Sequence, residues 1–158
     1  MASKPRPFLG LFVGVAAGLV ASAAMAAFQE QASALLPDDD GDPATVKAAD
    51  IASEAVTGDP VPEPYREQAG TAVHYIVGGV LGAIYGVLTE YRPEASAGFG
   101  SAYGIATSAL LDEAAVPAAG LAAAPDEIPL ATHAYGAASH LVYGVVLEGV
   151  RWLIAGKR

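Results

Sequence analysis

The sequence predicts an all-α integral membrane protein, a four-helix bundle carrying one long acidic segment outside the membrane. Three observations lead there. Four windows hold no charged residue: Pro7 to Gln29, Gly70 to Thr89, Ala95 to Leu111, and Ile128 to Leu147. A bilayer core is crossed by roughly 20 predominantly apolar helical residues, with a range of about 17–25. Charged residues make up only 16% of the chain while hydrophobic ones reach 53%, against about 25% charged in a soluble domain. The charges that remain fall between the windows. The spans are therefore expected at about 7–28, 69–89, 95–113 and 131–154, in a single membrane domain of residues 1–158.

The first span opens "MASKPRPFLGLFVG" and runs to Ala-x-Ala at Ala24–Ala26, so a signal peptide is a rival reading of it. Residues 30–68 are the long connection. "LPDDDGDP" and "TGDPVPEPYREQ" are dense in Pro, Gly and Asp, which interrupt regular structure. Between them "ATVKAADIASEAV" reads as a solvated acidic loop, with a short helix outside the membrane as the alternative. The run Asp38-Asp39-Asp40-Gly41-Asp42 lacks the spacing of a calcium loop ending in Glu.

Orientation follows from Lys and Arg, which favour the cytoplasmic side. With a cytoplasmic N-terminus, Lys4, Arg6, Arg92, Arg151, Lys157 and Arg158 fall inside and only Lys47 and Arg66 outside. Both termini are thus expected in the cytoplasm, with residues 30–68 outside and the chain in the inner (plasma) membrane. A net charge of −9 excludes nucleic acid as a partner on electrostatic grounds. The absence of cysteine excludes disulfides, thiolate metal sites and cysteine nucleophiles.

Small residues recur at a spacing of four: Gly10/Gly14/Gly18, Gly78/Gly82/Gly86 and Gly100/Gly104. In lipid such faces let helices approach closely, because packing rather than hydrophobicity drives their association. They serve either the contacts within one bundle or self-association with a second copy. An internal repeat is also visible. "GAIYGVLTE" (82–90) lies on "HLVYGVVLE" (140–148) at an offset of 58, and "GVAAGLVASA" (14–23) lies on "GSAYGIATSA" (100–109) at an offset of 86. Two repeated helix pairs would both point the same way across the membrane. Chance similarity among small residues is the competing explanation.

His74, with Glu90 and Pro93 following it, then "VPAAGL" (116–121), then "SHLVYGVVLEGVR" (139–151), resemble the YagU-like bacterial inner-membrane proteins, a family catalogued as a domain of unknown function. The resemblance covers roughly residues 70–155. It implies a multi-span inner-membrane protein and supplies no reaction. The chain departs from the family pattern where Asp112-Glu113 stand in place of a histidine ahead of the Pro-x-x-Gly-Leu turn.

Titratable groups inside a bilayer are costly and mark functional sites. His74, His133, His140, Asp112 and Glu113 all fall toward the outer half of the spans. His133 and His140 are seven residues apart and share a helix face. Histidine with carboxylate suits a Zn, Mn or Fe site, paired histidines suit a haem, and a line of titratable groups suits a proton or ion pathway. The plainer alternative is that the histidines bond Ser108, Tyr103, Tyr135 or backbone carbonyls and pin the bundle. His74 and His140 are expected to face each other, with Asp112 or Glu113 nearby. At the inner ends, Glu90 with Arg92 and Glu148 with Arg151 are expected as interfacial ion pairs, flanked by Tyr91 and Trp152 in an aromatic belt. No phosphate loop, nucleophile elbow or His-Glu-x-x-His occurs, so an enzyme is not expected. No cofactor is specified. The expected role is a scaffold or accessory subunit of a membrane complex, partnered by the lipid bilayer and by itself or another membrane protein, with a proton/ion pathway or a metal/haem protein as the alternative.

Overall fold

The structure, a computed structural model, describes residues 4–35 and 41–156. It is all-α, with no strand among the described residues. Five helices order the described residues: α1 (Pro7–Ala32), α2 (Ala44–Thr57), α3 (Arg66–Tyr91), α4 (Ser101–Leu110) and α5 (Leu130–Ala155). α1 and α3 are long and apolar enough to cross a membrane. α5 matches their length, but its histidines, Glu148 and Arg151 lower its hydropathy. Asp38, Asp39 and Asp40 lie outside the described residues.

Local chemistry sets most helix ends. Pro7 opens α1 at a position where its missing N–H is not needed. Pro93 follows α3 and turns the chain into a short 3-10 segment, Pro93–Ser96. α4 is shorter than the charge-free window suggested. Its straight part ends at Leu110 and it continues as a π-helical turn, Leu111–Ala115, and a last turn, Val116–Ala118. Pro117 lacks the N–H of a regular α-turn and its ring would meet the carbonyl of Glu113. The wider π turn accommodates both. Gly120 then closes the helix at φ +71°, with Leu121 N–H donating to Val116 O and Gly120 N–H to Pro117 O.

The middle of the acidic connection is helical rather than a loop. α2 packs along the start of α3 and buries Val46 and Ala49. It is clamped there by Arg66, whose guanidinium bonds Asp50 at 2.6 Å and Asp42 at 2.8 Å. α2 is amphipathic, but the Pro, Gly and Asp on both flanks mask it in the sequence, and the ionic clamp joins residues far apart in the chain.

α1 packs on α3 and on α5, and α5 on α4. The gap between α3 and α4 is bridged by Tyr85 against Tyr103, with ring centroids 4.7 Å apart. A core of Ala17, Ala21, Met25, Tyr85, Tyr143 and Leu147 fills the centre. Polar and charged side chains share the interior with this core. Glu90, Thr107, Ser108, Ser139, His140, Glu148 and Arg151 are buried, whereas Phe8, Phe12, Ile76, Val80, Ile84 and Leu153 are exposed.

The glycine faces are where helix backbones touch. A Cβ added at Gly10 would meet the Gly86 carbonyl and Glu90 Cγ, and one at Gly14 the Gly82 carbonyl and Gly86 Cα. In the second pair, a Cβ at Gly100 would meet the Gly144 carbonyl and Glu148 Cβ, and one at Gly104 the His140 carbonyl and Gly144 Cα. α3 thus maps onto α5 at the expected offset of 58 (Gly86 to Gly144), but α1 maps onto α4 at an offset of 90 (Gly10 to Gly100) rather than 86. The difference of four residues is about one helical turn. A small residue every fourth position makes the two registers nearly indistinguishable in sequence, whereas only one brings the carbonyl contacts into equivalence.

Candidate functional site

The π turn places Asp112 against α5. Ser108 Oγ donates to Asp112 Oδ2 at 2.9 Å, and His140 Nε2 lies 3.4 Å from the same oxygen. Gly136 makes room for this carboxylate, since a Cβ there would stand 2.9 Å from Oδ2. On the other side of the imidazole, His140 Nδ1 is 3.2 Å from Thr107 Oγ1. The Thr107 hydroxyl donates its one hydrogen to the Gly104 carbonyl at 2.8 Å, so its oxygen accepts from Nδ1–H. Nε2 and Asp112 are then joined only with a proton between them, on the imidazole or on the carboxyl group. His140 is buried, while the Asp112 side chain is 36% exposed.

His133 forms a separate pair with Glu113, Nδ1 to Oε1 at 2.7 Å, and its Nε2 is 3.0 Å from the Pro125 carbonyl. A carbonyl only accepts, so Nε2 carries a hydrogen and the ring ties the 119–129 connection to the start of α5. His74 donates from Nε2 to the Ser22 carbonyl at 3.1 Å and meets the Tyr75 ring edge-on. His74, His140 and Asp112 line one pocket of about 760 Å³ between α1, α3, the end of α4 and α5, and α2 closes one side of it. The expected cluster is therefore divided. His74 and His140 do share a cavity with Asp112, but His133 and Glu113 form their own bond outside it. No group of three His, Cys, Asp or Glu among the described residues stands close enough to hold a metal ion. The physical reason is that adjacent helical residues point about 100° apart, so Asp112 and Glu113 meet different histidines. The expectation that histidines bond backbone carbonyls holds for His74 and His133.

The opposite end carries a second polar set. Arg151 bonds Glu148 through two nitrogens, Nε to Oε2 at 2.6 Å and Nη2 to Oε1 at 2.7 Å. Tyr85 donates to Glu148 Oε2 at 2.8 Å. Both charged side chains are almost fully buried, so this pair belongs to the bundle interior and not to its rim. Glu90 is also buried and meets Arg6, with Nη2 at 3.7 Å and the Arg6 backbone N–H donating to Oε2, where Arg92 was expected. Arg92 leaves α3 at φ −135°, ψ 83° and is exposed.

Tyr103 and Tyr135 are expected as partners of the histidines, but Tyr103, Tyr135 and Tyr143 instead donate to backbone carbonyls of neighbouring helices. Tyr143 donates to the Gly78 carbonyl at 2.6 Å, and Tyr103 to the Leu81 carbonyl at 2.8 Å. The repeated Tyr-Gly at 85–86 and 143–144 was the available signal. Each tyrosine precedes a glycine at a helix crossing, so its ring enters the core beside the contact. No family model, curated protein or solved structure matches this chain.

Proposed function

We propose that the chain is a four-span protein of the inner membrane, with both termini cytoplasmic and α2 outside, that serves as a scaffold or accessory subunit of a membrane complex. The reading carries forward the YagU-like resemblance of residues 70–155. The surface supports it, because apolar side chains face outward along α1 and α3 while ionised groups are buried. α5 enters the membrane on this reading with its charges satisfied inside the bundle, which removes most of their cost.

One observation carries the choice of scaffold over conduit. Tyr143 and Leu81 line the pocket, whereas Tyr85, Leu147 and Glu148 are buried and are not among its lining residues. Glu148 is sealed by Tyr85 and Arg151. A proton or ion path needs a continuous line of water or titratable groups, and these side chains interrupt it.

Reconstitution into liposomes enclosing a pH-sensitive dye tests this choice. Proton flux under an imposed potential should equal that of empty vesicles, and a flux abolished by His140→Gln would overturn the proposal. Mild purification with chemical crosslinking should yield the chain bound to itself or to another membrane protein at fixed stoichiometry. Impermeant thiol labelling tests the orientation, since Ser53→Cys should react in intact cells and Ala155→Cys should not.

A further inference from the structure

The pocket has the chemistry of a binding site, and we propose that its ligand is a cationic amphiphile, an organic ammonium group carrying an apolar body. The inference does not depend on the assembly role. The volume of about 760 Å³ falls within the roughly 300–1,000 Å³ of small-molecule sites. Its walls are mainly apolar, with Met25, Val77, Leu81, Leu111, Val116 and Leu121 among them.

The polar groups select the sign of charge. Two carboxylates line the pocket, Asp112 within it and the exposed Glu67, and no lysine or arginine is among its described lining residues. With one proton shared between them, His140 and Asp112 are together net neutral, and both imidazole nitrogens are already engaged, so an anionic headgroup finds no free donor there. Asp112 has capacity left. Its Oδ2 takes Ser108 and faces His140, whereas Oδ1 accepts no hydrogen bond from any described residue. An ammonium donor can occupy Oδ1 without displacing a contact, a charge-assisted bond in partly excluded solvent. Tyr75, Tyr135 and Tyr143 also line the cavity, and aromatic faces attract ammonium groups. The buried His140, held by Thr107 on its far side, fixes the carboxylate from behind and acts as a positioning residue. The same residue position differs between the two helix pairs. Ser22 faces Gly78 where Asp112 faces Gly136, so this acidic group belongs to one pair only.

The test compares three probes of equal chain length, n-decylamine, decanoic acid and decanol, added to the full chain in a neutral maltoside detergent. All three partition into micelles, and a net charge of −9 attracts the amine over the whole surface, so the substitutions inside the pocket carry the test. The amine should raise the thermal unfolding midpoint and bind in calorimetry, whereas the acid and the alcohol should do neither. Asp112→Asn should weaken amine binding at least tenfold, and Glu67→Gln should weaken it by a smaller factor. Equal shifts from all three probes, no shift from the amine, or unchanged amine binding in Asp112→Asn would each overturn the proposal. Should Asp112→Asn fail to fold, Val77→Trp, which fills the pocket from its wall, decides the matter, and unchanged amine binding in it would overturn the proposal.

Discussion

Substituting Gly82 by alanine tests the backbone contact between α1 and α3 directly. A Cβ at Gly82 would collide with the Gly14 carbonyl and stand 2.7 Å from Gly18 Cα and 3.0 Å from Gly18 N. All three obstacles are backbone atoms, so no rotamer change relieves them, and α1 must move away by roughly 1 Å to restore ordinary contact. Gly79 is three residues earlier on the same helix, and a Cβ there meets only Leu19 Cδ2 at 3.5 Å. Both substitutions gain the same intrinsic helix preference of alanine over glycine, about 0.8–1.0 kcal/mol. Only Gly82→Ala incurs overpacking, which ranges over about 1–3 kcal/mol and lies at the upper end where backbone blocks backbone. Gly82→Ala should therefore destabilise by roughly 2 kcal/mol and Gly79→Ala should stabilise by up to about 1. Reversible unfolding in mixed micelles, followed by far-UV circular dichroism against the fraction of denaturing detergent, reads both. Coincident midpoints for the two variants would refute the packing argument. Gly144→Ala extends the test to the second pair, where Gly104 Cα and N both stand 2.9 Å from the added Cβ.

Glu148→Ala and Arg151→Ala each strand a buried charge and should cost about 3–5 kcal/mol. The double variant should cost much less than their sum, and additive losses in a double-mutant cycle would show that the pair is not coupled. The α2 clamp should be acid-sensitive. Hydrogen bonding from Arg66 holds the Asp50 carboxyl below its ordinary 3.8, aided by the Val61 N–H and opposed by partial burial. A depressed folded-state pKa means the stabilisation is complete above the unfolded value and is lost as pH falls through the folded one. Amide exchange across α2 should therefore quicken only below about pH 4, and Asp50→Asn should show fast exchange at neutral pH. An exchange rate that follows the intrinsic pH dependence alone would exclude the clamp.

The sequence by itself determined where the long helices lie, because hydropathy, proline and glycine act within a few residues of their own position. Pro7, Pro93 and Gly120 mark ends that the structure keeps. Gly10, Gly14, Gly78, Gly82 and Gly86 identified the contact faces for the same reason, since the absence of a side chain is a local property. His140 with Asp112, and Glu148 with Arg151, were legible as titratable groups within apolar surroundings. Tertiary structure alone decided the partners. Arg6 reaches Glu90 across 84 positions of chain, Tyr85 reaches Glu148 across 63, and Arg66 reaches Asp50 across 16. The choice of offset 90 over 86 for the first helix of each pair, and the division of the histidines into separate sites, also arose only in three dimensions. A pattern of small residues every fourth position permits helices to slide by one turn with little change in local fit. Which register wins depends on carbonyls, tyrosine hydroxyls and buried carboxylates meeting across the bundle, and that information belongs to no single segment.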